Sequence, residues 1–155
     1  MKRHQRLGLK KNFKTKIAII GVGYVGLPLA KHLSKFFLVK AYDIEKSRIK
    51  ELNKGIDRNL DFKKKELKNK NLTFTHNYEE IKNSNVFIIT LPTPINKRRI
   101  PDISLVIKAT EKLCKVIKKN DLIIYESTFY PGTIEDKIIP ILEKNSKFKL
   151  NQDFF

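Results

Sequence analysis

The apolar run over residues 17–20, followed by Gly21-Val22-Gly23-Tyr24-Val25-Gly26, constrains this chain more than any other stretch. Four apolar residues read as a strand, and glycines spaced G-x-G-x-x-G dictate how the chain leaves it. A helical pattern follows, then a second apolar run that ends on Asp43. Strand, glycine turn, helix, strand and acid, in that order, specify a β-α-β unit with parallel strands.

Each glycine has its own physical reason. Gly21 lets the chain turn sharply where a Cβ would clash. Gly23 lets the phosphates of a ligand approach the backbone, and Gly26 lets the helix pack closely on the strand. The first helical turn carries N–H groups without intrahelical partners and about half a positive charge. A pyrophosphate satisfies both. Pro28 falls near the helix start, where a missing N–H costs little. Asp43 follows Gly26 by 17 residues, near the ~20 at which an acid accepts from ribose hydroxyls. A 2′-phosphate there would meet a like charge, costing about 4 kcal/mol at ~4 Å and an effective dielectric of ~20. The expected ligand is therefore NAD rather than NADP. Arg48 works the other way, because a nearby arginine attracts a 2′-phosphate.

Charge and length narrow the remaining classes. At 155 residues the chain is one domain, able to bury roughly 68–70% of its unfolded surface. The net charge of +17 raises a nucleic-acid reading. Residues 1–16 carry seven of the 33 Lys/Arg and no acid. The rest are spread over helical patterns such as KSRIKELNK and EKLCKVIKK, as solvated faces with lysine stems covering the core. No arginine-aromatic motif for RNA or DNA accompanies them, so no nucleic-acid partner is expected. No apolar run reaches the ~18–20 residues of a membrane span, and the basic N-terminus lacks the apolar segment of a signal peptide. One cysteine excludes an internal disulfide, and His4, His32 and His76 show no metal spacing. The expectation is a cytoplasmic protein with no metal site and no membrane partner.

Residues 1–15 read as a flexible basic arm and 16–155 as a dinucleotide-binding domain. Strands are expected near 16–20, 37–42, 71–75, 86–90 and 121–125, with a weaker one near 147–150. Helices are expected near 24–36, 45–54, 61–69, 77–83, 102–119 and 133–144. VFIIT and DLIIY are continuously apolar, as strands buried on both faces are. The alternation specifies an α/β fold with a doubly wound parallel sheet, Rossmann-type. Such sheets bind ligands at the carboxyl ends of their strands. Three segments there carry unusual chemistry: residues 21–26, 90–94 (TLPTP) and 126–133 (ESTFYPGT). They are expected to converge on one crevice, with Thr93 and Thr128 offering hydroxyls. Read on residue chemistry alone, ordinary helix starts explain them equally well. Thr133 is expected to cap the last helix with Asp136. Glu126 is expected to cap a helix or bond the loop rather than act as a base. Cys114, on the apolar face of a predicted helix, is expected to be structural.

Taken together, GVGYVGLPLAKHLSK, AYDI, ELNKGIDRNLD, TLPTPINKRRIPDISLVIKA and YESTFYPGTIED carry a family resemblance. The chain resembles the N-terminal domain of the UDP-glucose/GDP-mannose dehydrogenase family, within it the UDP-N-acetylhexosamine branch of the Vi-antigen type. The resemblance implies two NAD-dependent hydride transfers that take a sugar C6 alcohol to a carboxylate, through a cysteine-bound thiohemiacetal and thioester. It implies that Gly21, Gly23, Tyr24, Val25 and Gly26 form the pyrophosphate loop, that Asp43 holds the adenosine ribose and that Arg48 flanks the adenine. It implies that Thr93 and Thr128 face the cofactor, Thr128 toward the nicotinamide and the catalytic water. It also implies a UDP-sugar substrate, a homodimer for the full-length form and a role in surface polysaccharide synthesis. The family's nucleophilic cysteine, central dimerisation helix and second nucleotide-fold domain have no counterpart here. NQDFF resembles residues within the first domain, so that domain is expected to be C-terminally incomplete and the chain inactive alone. Two alternatives remain: a non-catalytic NAD-binding or partner-binding domain, and another dehydrogenase of this fold, of the 3-hydroxyacyl-CoA or 6-phosphogluconate type.

Overall fold

Residues 17–20 are buried on both faces of their strand, which is why the run is apolar without alternation. Ile17 and Ile19 point into one core, Ala18 and Ile20 into the other. The structure, a computed structural model, describes residues 15–95 and 101–155. The expected basic arm lies, but for Thr15, outside the described residues.

The elements run β1 (Lys16–Ile20), α1 (Gly26–Leu33), β2 (Leu38–Tyr42), α2 (Lys46–Lys54), α3 (Lys64–Leu67), β3 (Leu72–Thr75), a 3₁₀ turn (Tyr78–Ile81), β4 (Val86–Ile89), α4 (Ser104–Leu113), β5 (Leu122–Tyr125), a π turn (Ile134–Ile138) and α5 (Ile139–Ser146). All strand pairs are parallel, in the order β3-β2-β1-β4-β5. One core packs Leu27, Ala30, Ile49 and Leu52 of α1 and α2 against the sheet. The other packs Val106, Leu113, Ile138 and Leu142 of α4, the π turn and α5 against the opposite face. The winding reverses between β1 and β4, and the crevice at their carboxyl ends is where such sheets take ligands.

Several expectations need correction. The predicted helices 61–69 and 77–83 shrink to α3 and the 3₁₀ turn. β5 is not buried on both faces: Leu122 is exposed and its three successors are half-buried. It lies at the sheet edge, covered on one side by α4 and α5. No strand forms at 147–150. Instead residues 153–155 pair with the lead-in to β5, the N–H of Ile123 donating to the Phe155 carbonyl at 2.6 Å and that of Phe155 to Asp121 at 3.0 Å. Phe154, buried in the α4–α5 core, anchors that segment. The last helix starts as a π turn because Pro140 has no N–H for the Asp136 carbonyl and its ring crowds the preceding turn. Thr133 therefore does not cap it. Its hydroxyl donates to the Tyr130 carbonyl at 2.7 Å, and the N–H of Asp136 donates to Gly132.

Candidate functional site

The three strand-end segments meet. The Thr90 hydroxyl, at the end of β4, donates to the Gly21 carbonyl at 2.7 Å. The Ser127 hydroxyl donates to the Leu91 carbonyl at 2.7 Å, and that of Thr93 to the Thr128 carbonyl at 2.8 Å. Side-chain hydroxyls thus tie the ends of β1, β4 and β5 into one rim.

The glycine turn has the geometry its spacing demands. Gly21 has φ +99°, and a Cβ there would lie 2.9 Å from Leu91 and 3.1 Å from the Thr90 carbonyl oxygen. A Cβ on Gly26 would fall well inside contact with the Gly21 carbonyl oxygen and 2.5 Å from the Thr90 hydroxyl. Gly23 differs: a Cβ would meet nothing within 4 Å. Gly23, Tyr24 and Val25 are exposed, and among the described residues their N–H groups find no partner. Open space above unpartnered donors at a helix N-terminus is the setting a diphosphate fits. Pro28 sits in the first turn of α1, as its missing N–H requires.

Asp43 holds backbone N–H groups, which its spacing did not reveal. Its Oδ2 accepts from the Val22 N–H and its Oδ1 from that of Glu45, both at 2.9 Å. Each oxygen keeps a lone pair for a ribose hydroxyl. Asp43→Ala should weaken NAD binding about ten- to hundredfold, since hydrogen bonds to a charged group contribute ~1.5–3 kcal/mol each. Titration calorimetry checks this, and unchanged affinity would contradict the assignment. Beside Asp43, Ile44 is 72% exposed and Tyr24 77%, two uncovered apolar side chains next to the turn.

Arg48 stands elsewhere than a cofactor-facing residue would. It is buried, its Nη2 donating to Asp57 Oδ1 at 2.8 Å and its Nε to the Val22 carbonyl at 3.2 Å. Burial opposes the Asp57 carboxylate charge, but the Arg48 hydrogen bond and the Asn59 and Asp61 N–H groups outweigh it and hold its pKa below the usual range. Thr128 is exposed at the rim. Glu126 is exposed, its N–H continuing the ladder to Ile89, and its side chain neither caps a helix nor bonds the loop among the described residues. Cys114 is buried, its thiol donating to the Thr110 carbonyl, and burial pushes its pKa up to about 11. That is the setting of an inert thiol. Among the described residues no group of three His, Cys, Asp or Glu side chains suits a metal, and no helix is long and apolar enough to cross a membrane.

Within the segment 90–94 the sequence singles out Thr93 rather than Thr90, and it gives no part to Ile44 or Asp57. Thr90 had a readable signal: it is a buried polar residue closing the apolar run of β4, and such a hydroxyl needs a partner.

The model of the UDP-glucose/GDP-mannose dehydrogenase family, NAD binding domain, matches residues 15–155. The chain is 48% identical over 141 residues to a UDP-N-acetyl-D-glucosamine 6-dehydrogenase of Pseudomonas aeruginosa, covering 90% of this chain and 33% of that protein. It is 47% identical to the enzyme of the same name from Salmonella typhi, covering 92% and 34%. Among solved structures, a UDP-D-ManNAc dehydrogenase from Pyrococcus horikoshii superposes with a TM-score of 0.85 at 34% identity, over 90% of this chain and 34% of that one. The chain spans about a third of the length of the relatives it matches.

Proposed function

We propose a function for a chain that belongs to the UDP-glucose/GDP-mannose dehydrogenase family: it is the NAD-binding part of a nucleotide-sugar 6-dehydrogenase. The observation that carries this reading is the open, unpartnered glycine turn beside Asp43. Gly23, Tyr24 and Val25 hold the pyrophosphate through their N–H groups. Asp43 takes the adenosine ribose, and the exposed Ile44 and Tyr24 flank the adenine. Thr93 and Thr128, on the tied rim, line the nicotinamide end. NAD supplies the hydride acceptor for oxidation of a sugar C6 alcohol. The residues of this chain bind and orient it; they supply no thiol nucleophile, because the single cysteine, Cys114, is buried in the core. The whole protein acts on a UDP-N-acetylhexosamine or UDP-glucose in the cytoplasm, as a homodimer, for a surface polysaccharide. These 155 residues bind the cofactor without turning the sugar over.

Titration calorimetry of this chain tests the reading. NAD should bind, and NADP should bind at least tenfold more weakly, because its 2′-phosphate meets the Asp43 carboxylate while Arg48 is occupied by Asp57. Absence of NAD binding would refute the reading, and equal affinity would refute the role of Asp43.

A further inference from the structure

Val22, the residue that leads into the open part of the turn, is held at both ends of its backbone, by a half-buried carboxylate on one side and a buried guanidinium on the other. Its N–H donates to Asp43 and its carbonyl accepts from Arg48. Arg48, on the inner side of α2, is met there by Asp57. The Asp57 side chain is fully buried, and its two oxygens also accept from the N–H groups of Asn59 at 3.2 Å, Asp61 at 3.0 Å and Phe62 at 3.2 Å. One carboxylate therefore organises the backbone of residues 57–62 and clamps the guanidinium that clamps the turn. A buried guanidinium without its carboxylate does not stay in place, because its charge is then uncompensated. Arg48 Nη1 is already buried without a partner among the described residues, so Asp57 supplies the only countercharge among its hydrogen-bond partners there, beside the neutral Val22 carbonyl.

We propose that Asp57 is a positioning residue for the cofactor turn, acting through Arg48, so that residues 57–62 and the NAD site form one coupled unit. The inference rests on the NAD reading given above. A carboxylate that merely folded its own loop would leave NAD affinity alone; one that holds Val22 changes it, and changes it only while Arg48 is present.

The test is a double-mutant cycle on the NAD dissociation constant of this chain, with Asp57→Asn, Arg48→Met and both together. Each single variant should weaken NAD at least tenfold, and the double variant should be no more than threefold weaker than Arg48→Met. Affinity within twofold of the unaltered chain in either single variant, or a fully additive loss in the double, overturns the proposal. Breaking a buried pair can prevent folding, so a second measurement uses the unaltered chain. Coupling is reciprocal, and saturating NAD should slow amide hydrogen exchange at Asn59, Asp61 and Phe62 by at least fivefold. Unchanged exchange there overturns the proposal. If the unaltered chain binds no NAD, the cofactor reading itself fails, and this inference with it. NAD binding with indifferent variants sinks this inference alone.

Discussion

Gly26→Ala is expected to abolish measurable NAD binding and to lower the thermal midpoint of the chain. The added methyl would overlap the Gly21 carbonyl oxygen and press on the Thr90 hydroxyl at 2.5 Å. Neither neighbour can yield cheaply. The Gly21 carbonyl closes the end of β1 and receives the Thr90 hydrogen bond, while the N–H of Gly21 is bonded to the Tyr42 carbonyl of β2 at 2.8 Å. Relief requires α1 to move off the sheet, and α1 carries Leu27 and Ala30, both fully buried. Overpacking of this kind costs about 3 kcal/mol, which for a chain of this size is roughly 6–12 °C in the midpoint. Displacing α1 also moves the N–H groups of the glycine turn that we propose hold the pyrophosphate. Scanning calorimetry and NAD titration on the same sample check both halves. A variant with the original midpoint and affinity would show that the turn is looser than described.

The sequence showed that Gly21 and Gly26 must be glycine, but not which atoms each one avoids. The β1 run was legible because burial on both faces leaves no room for a polar residue, and the acid at the end of β2 was legible because its distance from the turn is fixed by one helix and one strand. Arg48 was not legible in the same way. Five residues after an acid at a strand end, an arginine reads as a ligand for a cofactor. Its side chain instead turns inward, because Asp57, nine residues on and beyond α2, lies buried to receive it. That depends on the path of a loop, which local pattern does not encode. The edge pairing of residues 153–155 was hidden for a similar reason: Phe154 anchors it through a core contact with no period of its own. The π turn before α5 was within reach, since Pro140 is visible in the sequence and its missing N–H has a defined consequence four residues back.

Gly23→Glu is expected to leave the fold intact and remove NAD binding. Gly23 is exposed, its φ lies outside the left-handed region, and a Cβ there meets nothing within 4 Å. The midpoint should therefore stay within about 2 °C, surface substitutions being worth within ~0.5 kcal/mol. The carboxylate, however, projects into the space that the diphosphate must enter. Each like-charge pair at ~4 Å and an effective dielectric of ~20 costs about 4 kcal/mol, and ~1.4 kcal/mol is a factor of ten in affinity. The loss should be at least a hundredfold. Gly23→Ala separates the two contributions, since it places a neutral methyl at the same point. Its affinity should fall between those of the unaltered chain and Gly23→Glu. Because the remainder is electrostatic, the gap between the two variants should narrow as salt rises and the screening length shrinks from ~10 Å at 0.1 M toward ~3 Å at 1 M. Equal affinities for Gly23→Ala and Gly23→Glu at low salt would mean that no phosphate lies over Gly23, and that the dinucleotide, if bound, takes another path across the rim.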